Sequence, residues 1–239
     1  MSLIFPGDTL QIPTSQIKVT GPGIYVFPNE NDVKPINAGI EIVQKSPKTS
    51  VYIEYNSKRY IPAVGDFVIG TIVAAYADHY NVSLNNFSNV VSLSYMAFPN
   101  ASKKNRPNLK TGDLVYARVC QSDRDLEAEI ECMNSTTGVN DGFGLLDENN
   151  SMIIDVSLGF ARELLFNNSY PLLPLLSKFT EFEVAIGVNG KIWIKTPSVL
   201  QTLASYKSIL DCEKNPSKNF KDIIKSNFKK IVNVVADEN

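Results

Sequence analysis

Histidine and cysteine are scarce in this 239-residue chain, which holds a single imidazole, His79, and three thiols, Cys120, Cys132 and Cys212. One histidine excludes any constellation built on two or more imidazoles. An odd number of cysteines without CxxC spacing argues against a zinc site or a disulfide framework, and reads as buried thiols in a reducing compartment. Long apolar runs are missing too: nothing approaches the roughly 18 uninterrupted residues of a membrane span. The opening MSLIFPGD carries neither a basic region nor a long apolar stretch, so no signal peptide is expected and triplets such as Asn100-Ala101-Ser102 mean nothing for glycosylation. There is no excess of positive charge, with 23 basic against 25 acidic residues. A chain held to nucleic acid by its own field is usually basic, so any such contact here is expected to be local and helped by neighbours. Phosphate-cradling glycine loops are absent as well, since neither Gly21-Pro22-Gly23 nor Gly142-Phe143-Gly144 completes a GxGxxG and no GxxxxGK occurs. The acidic run 123–131 invites a two-metal reading. Its Glu127, Glu129 and Glu131 fall about 7 Å apart along one strand, a spacing better explained by a solvated exterior or a basic neighbour. No catalytic residue, metal or cofactor is assigned, and the chain is expected not to be an enzyme.

What the sequence does have is alternation. In residues 79–84 (HYNVSL), Tyr80, Val82 and Leu84 share one face. Val91 and Leu93 do so in 89–94, Val115, Ala117 and Val119 in 114–120, and Leu126, Ala128, Ile130 and Cys132 in 126–132, where the three glutamates point out. Residues 67–76 are apolar on both faces, with Gly70 placed where a strand can bend. A longer non-strand connection, 96–112, separates the third and fourth strands. Five short strands with one long insertion predict a five-stranded OB-type barrel over residues 61–133, a fold that commonly binds single-stranded nucleic acid. Other small mixed barrels satisfy the same alternation.

Residues 1–60 are punctuated by glycine and proline, with β-type runs at 23–27, 39–43 and 51–55. They predict a small strand-rich module with a thin core that leans on a partner or on the barrel. Residues 133–150 read mostly as linker. From Met152 the order is strand, helix (158–166), a leucine-rich segment (171–179), strands at 181–187 and 191–195, and two helices. Thr196-Pro197 is expected to cap and start the first helix, and Asn215-Pro216 the second. Val199, Leu203, Tyr206 and Leu210 are expected to face inward from the former, and Phe220, Ile224, Phe228 and Ile231 from the latter. The β-α-α-β-β-α order of residues 134–239 matches the RNA-binding KH module. The chain is therefore expected to be multidomain and mainly β, with an α+β C-terminus.

Several longer stretches resemble one family: FPGD (5–8), GPGIY (21–25), SKRYIPAVGDFVIG (57–70), SLSYMAFPNASKKNRP (92–107), GDLVYARV (112–119) and EVAIGVNGKIWIK (183–195). The family is the ribosomal RNA-processing protein 40 type of cap subunit of the eukaryotic RNA exosome, and the similarity runs through essentially the whole chain in order. The resemblance implies an N-terminal β-module, an S1-type barrel and a KH domain. It also implies a non-catalytic subunit that holds a ring of RNase PH-like subunits together beside other cap subunits. Such a subunit shapes the path of single-stranded RNA toward a separate nuclease, in the nucleus (nucleolus included) and cytoplasm. No membrane and no small-molecule substrate are implied.

Candidate RNA contacts follow. Lys103, Lys104 and Arg106, with Lys110 nearby, sit in the long connection. On a mobile loop they can meet successive phosphates without reading bases; a solvated surface loop is the alternative. Lys58 and Arg59 are a second candidate, a domain-junction ion pair being the alternative. Nucleic acid usually lies across strands two and three of such barrels, which nominates His79, Tyr80 and Phe87, although Tyr80 falls on the inward face. Gly187-Val188-Asn189-Gly190 is not the nucleotide-clamping KH loop, because it joins two strands rather than two helices. It reads as a structural Asn-Gly hairpin turn, and the resembled family carries GxNG in place of the usual loop. Between the helices stand Asn167-Asn168-Ser169-Tyr170, without glycine. Trp193, between Lys191 and Lys195, suits base stacking or, as favoured here, packing between domains. Lys218, Lys221, Lys225 and Lys229 recur along one helix face, read first as solvated and second as docking an acidic partner.

Overall fold

The computed structural model describes residues 2–13, 16–27, 32–45, 49–86, 88–102, 104–123, 126–134 and 137–232. It comprises two compact units, Met1–Ser57 and Lys58–Asn239. The first holds six strands: β1 (Ser2–Ile4), β2 (Val19–Thr20), β3 (Ile24–Phe27), β4 (Asp32–Pro35), β5 (Gly39–Gln44) and β6 (Ser50–Glu54). β1-β5-β6-β2 form one sheet, and β3 and β4 pair as a separate antiparallel ribbon. Ile4, Val33, Val51 and Ile53 make a small core, consistent with the module's turn-rich sequence. The side chain of Glu41 is buried and accepts hydrogen bonds from the backbone N–H of Gln11 at 3.1 Å and from Ser2 Oγ at 3.3 Å.

In the second unit, β7 (Phe67–Ala75), β8 (His79–Ser83), β9 (Val91–Ser94), β10 (Leu114–Gln121) and β11 (Glu129–Glu131) close into a barrel. The sheet runs β11-β9-β8-β7-β10, and β11 returns to pair with β10. Val68, Ile72, Tyr80, Val82, Leu93, Val115, Ala117 and Ile130 fill it. Gly70 serves close approach, since a Cβ there would lie 2.2 Å from Val82 Cγ1. The irregularity in β7 falls later, between Ile72 and Ala74, where its register with β8 shifts.

One expectation for this barrel needs correction. The last strand is short: Leu126 lies outside it and is exposed, while Ile130 and Cys132 point inward. For Glu131 the basic-neighbour reading holds rather than the solvated one. Opposite Arg118 in the β10–β11 register, it is buried and accepts from the guanidinium at 2.7 and 3.1 Å. A carboxylate tolerates burial when a cation meets it in this fork geometry. The linker reading of residues 133–150 also gives way. Gly144–Leu145 forms β12 beside β10, and Phe143 and Leu146 are buried.

The C-terminal part contains β13 (Ser151–Asp155), α1 (Leu158–Phe166), α2 (Leu172–Leu176), β14 (Glu183–Gly187), β15 (Lys191–Lys195), α3 (Val199–Glu213) and α4 (Phe220–Val232). Its antiparallel sheet has the order β13-β15-β14. Ile154, Ile192 and Ile194 pack from the sheet against Leu164, Leu172, Ile209, Phe220 and Ile224 of the helices. The inward face of α4 is as the periodicity predicts; on α3 Tyr206 and Leu210 pack against the core as expected, but the start of the face is rotated. Val199 and Leu203 are exposed, and Thr202, Ala204, Ser205, Ser208, Ile209 and Cys212 are buried. Small side chains on this face let α3 lie close to its neighbours, and Ser208 satisfies its hydroxyl by donating to the Ala204 carbonyl at 2.7 Å. Ser198, not Thr196, is the extended residue before α3. Thr196 instead shares a buried hydroxyl pair with Thr202 at 2.8 Å. Pro216 precedes a 3-10 turn, Ser217–Asn219, from which α4 continues.

Candidate nucleic-acid interface

The long connection after β9 is fastened to the barrel, contrary to the mobile loop expected from its composition. Tyr80, buried within β8, extends its hydroxyl to donate to the Pro107 carbonyl and to accept from the Leu109 N–H at 3.2 Å. Leu109 is itself buried. Asn105 closes the loop locally by donating through its N–H to Ser102 Oγ at 3.0 Å and through Nδ2 to the Asn100 carbonyl at 3.4 Å.

Arg106 ties this loop to the tip of the β7–β8 hairpin. Its Nη1 donates to the Ala77 carbonyl at 2.9 Å, and its guanidinium carbon stands 5.6 Å from the centre of the Tyr95 ring. The Tyr95 hydroxyl donates to the Tyr76 carbonyl at 2.6 Å. Tyr76 is stacked on His79 with ring centres 5.0 Å apart and planes 17° from parallel. His79 Nδ1 lies 2.7 Å from Asp78 Oδ1, and this hydrogen bond is the main reason the Asp78 carboxyl is held below its ordinary value. Lys104 and Lys110 are exposed on the same connection, and Lys103 and Phe87 lie outside the described residues. The result is a barrel end where an arginine and an aromatic pair are held by short, directed contacts, with exposed lysines on the same connection. Phosphate attraction and base stacking both need such groups.

The turn between β14 and β15 makes a different kind of contact. Asn189 is buried; its Nδ2 donates to the carbonyls of Ile69 and Leu84, each at 2.8 Å, and its Oδ1 accepts from the Ile69 N–H at 3.2 Å. The β7–β8 ladder ends at Thr71 and Ser83, so the amide occupies the place where the two strands part. The Val188 N–H donates to the Phe67 carbonyl at 2.8 Å, and its side chain enters the barrel core. A Cβ on Gly187 would lie 2.2 Å from Asn189 Oδ1 and 2.8 Å from the Ile69 nitrogen, and Gly190 has φ +79°. The tetrapeptide thus fastens the KH sheet to the barrel, and its side-chain amide is already occupied there.

Comparison with known proteins agrees with this arrangement. Residues 60–144 match the S1 domain of Exosome complex component RRP40, residues 152–200 a KH domain, and residues 19–59 a family described as the Exosome complex exonuclease Rrp40 N-terminal domain. Exosome complex component RRP40 of Saccharomyces cerevisiae is 57% identical over 238 residues, covering 98% of each chain. The chain belongs to the RRP40 family of exosome components. Its Schizosaccharomyces pombe relative is 35% identical, with 94% of this chain and 95% of that one covered. The Exosome complex component Rrp4 of Ignisphaera aggregans is 25% identical over 82% of this chain and 76% of its own length. A solved exosome complex RNA-binding protein shares the fold, with TM-score 0.58, 22% identity, and 71% of this chain and 97% of that one covered.

In this RRP40-family chain Trp193 lies between barrel and KH sheet. It packs with Ile69, Leu146 and Ala185, and its Nε1 donates to the Asp147 carbonyl at 3.2 Å. Tyr116 bridges the same seam by donating to the Ile186 carbonyl at 3.3 Å, and burial pushes its phenol up to about 12. Lys58 lines a cavity of about 230 Å³ with Asn85, Asn86, Asp155, Val156, Leu158, Asn189, Gly190 and Lys191, at the same junction but away from the loop cluster. Arg59 is exposed before the barrel. Tyr76 and Tyr95 were not singled out from sequence; the signal was two tyrosines bracketing the hairpin and the third strand.

Proposed function

We propose that this chain is a non-catalytic cap subunit of the RNA exosome that stabilises an RNase PH-like ring and guides single-stranded RNA into the channel for 3′–5′ processing and decay. The observation that carries this reading is the match to an exosome component over nearly the whole chain. Three structural features support it. The Asn189 clasp and the Trp193 seam hold barrel and KH domain together, as a wall for a threaded strand requires. The basic loop is pinned at one barrel end. The N-terminal unit exposes Leu3, Phe5, Tyr25, Val26 and Ile36, apolar surface of the kind that docks on protein. Among the described residues no three of His, Cys, Asp and Glu come together where they could hold a metal ion. The partners are ring and other cap subunits, with RNA held inside the complex, in nucleus and cytoplasm.

Affinity purification of the tagged chain tests the partners: RNase PH-like subunits should be recovered stoichiometrically. In reconstituted complex, replacing Lys103, Lys104 and Arg106 by Glu should reduce RNA threading and leave assembly intact. Recovery of the chain alone, with tight salt-sensitive RNA binding by the monomer, would replace this reading by a free-standing RNA-binding regulator.

A further inference from the structure

The helical face most uniform in charge lies far along the chain from the loop. Residues 214–230 carry six lysines, at 214, 218, 221, 225, 229 and 230, and their only carboxylate is Asp222. All six are exposed, and among the described side chains of α4 the buried ones are Phe220, Ile224, Asn227 and Phe228. Lys221/Lys225 and Lys225/Lys229 are four apart, so each pair stands side by side on α4 and repels. No ion pair within 4.0 Å is formed by these lysines among the described residues. A helix face that only needs to be solvated interleaves the two signs and gains from it; here Asp222, three residues before Lys225, is the single interleaved acid against six lysines.

We infer that the stripe formed by Lys221, Lys225 and Lys229 on α4, with Lys218 in the 3-10 turn before it, is a docking track for the phosphate backbone of single-stranded RNA. Bound polyanion relieves the repulsion that the free helix carries. Successive lysines rise about 4.5–6 Å along the axis and meet phosphates as point charges without reading bases. Nucleic acid is favoured over an acidic protein because lysine is depleted at protein interfaces and the stripe offers no apolar anchor. None of the large exposed hydrophobic residues falls between 204 and 231. The usual KH clamp is not an alternative route, since Asn189 is committed to the barrel and the α1–α2 connection has no glycine. The inference concerns RNA contact outside the loop cluster and does not rest on the exosome reading.

The test is fluorescence anisotropy of a labelled oligouridylate titrated with the full chain across a salt series. The triple variant Lys221→Gln, Lys225→Gln, Lys229→Gln should bind more weakly at low salt. Its log K against log salt should flatten by about 2, at roughly 0.7 per lost phosphate contact on a single strand. Its unfolding midpoint at low salt should be equal or higher, which shows that the fold is intact. No binding by the wild type at low salt, or an unchanged slope in the variant, overturns the proposal. Polyglutamate captured by the wild type with RNA binding unaltered in the variant overturns it too, and assigns the stripe to an acidic protein. A parallel Lys104→Gln, Lys110→Gln variant separates the two readings: loss there alone removes the α4 track and leaves the loop's role standing.

Discussion

Asn189 and Ile69 exchange two hydrogen bonds across the junction of the KH domain and the barrel, side-chain amide against backbone N–H and carbonyl, at 3.2 and 2.8 Å. An amide can mimic a neighbouring strand in this way because it presents one donor and one acceptor in the geometry of a peptide. Removing it leaves buried backbone groups of Ile69 and Leu84 unpaired. At about 1–3 kcal/mol for each such group, Asn189→Ala should lower stability by several kcal/mol, read as a drop in urea midpoint. Asn189→Asp should be at least as costly, since its carboxylate would face two carbonyl oxygens. An effect under about 1 kcal/mol for both variants would mean that the clasp is incidental.

Much of this architecture was legible because the barrel strands obey a simple period. Tyr80, Val82 and Leu84 could only share a face, and all three are buried. The two-sided apolar character of β7 was visible as well, and its cause is now plain: Val68 and Ile72 face the barrel core while Ile69 packs on Trp193. Three features were hidden for physical reasons. A basic neighbour for Glu131 could be expected, but not that it is Arg118, thirteen residues earlier, which only the barrel's closure brings opposite it. The inward face of α3 is written in Ala and Ser, whose small size matters only once another helix is alongside. Asn189 reads correctly as a turn residue, but its partners lie 105 and 120 positions upstream, beyond any local pattern.

The pinned loop makes a prediction about Arg106. Its guanidinium donates to the Ala77 carbonyl while lying over Tyr95, two tasks an ammonium does not perform in the same pose. Arg106→Lys, although it keeps the charge, should therefore speed amide exchange over residues 96–106 nearly as much as Arg106→Ala. Global stability should change by less than about 1 kcal/mol for an exposed contact. If the lysine variant exchanges like wild type, charge alone fixes the loop.

A pH dependence follows from Asp147, whose Oδ2 lies 2.8 Å from Lys195 Nζ. That hydrogen bond, followed by one from the Asn149 N–H, holds the carboxyl below its ordinary 3.8. A carboxylate lowered on folding contributes stability above its unfolded value, and the contribution is lost as pH falls through the lowered one. Lys195→Met should move the Asp147 titration back up toward the ordinary value, as followed by carboxyl NMR. It should also remove part of the acid-side decline in the unfolding midpoint. A titration point that stays where it was would assign the shift to Asn149.

The three thiols should separate by reactivity. Cys132 and Cys212 are buried, and burial pushes both thiols up to about 12. The thiolate is the nucleophile, so neither should be alkylated in the folded chain at mildly alkaline pH. Cys120 is half-buried and donates to the Glu129 carbonyl at 3.3 Å, and burial followed by Glu131 and Glu129 raises it as well. It should react slowly in the native state, ahead of the other two, and all three should react at one rate in denaturant. Peptide mass analysis after timed iodoacetamide treatment gives the order. Early labelling of Cys132 would mean that the barrel opens at β11, where three residues and the Arg118–Glu131 pair close the sheet on β10.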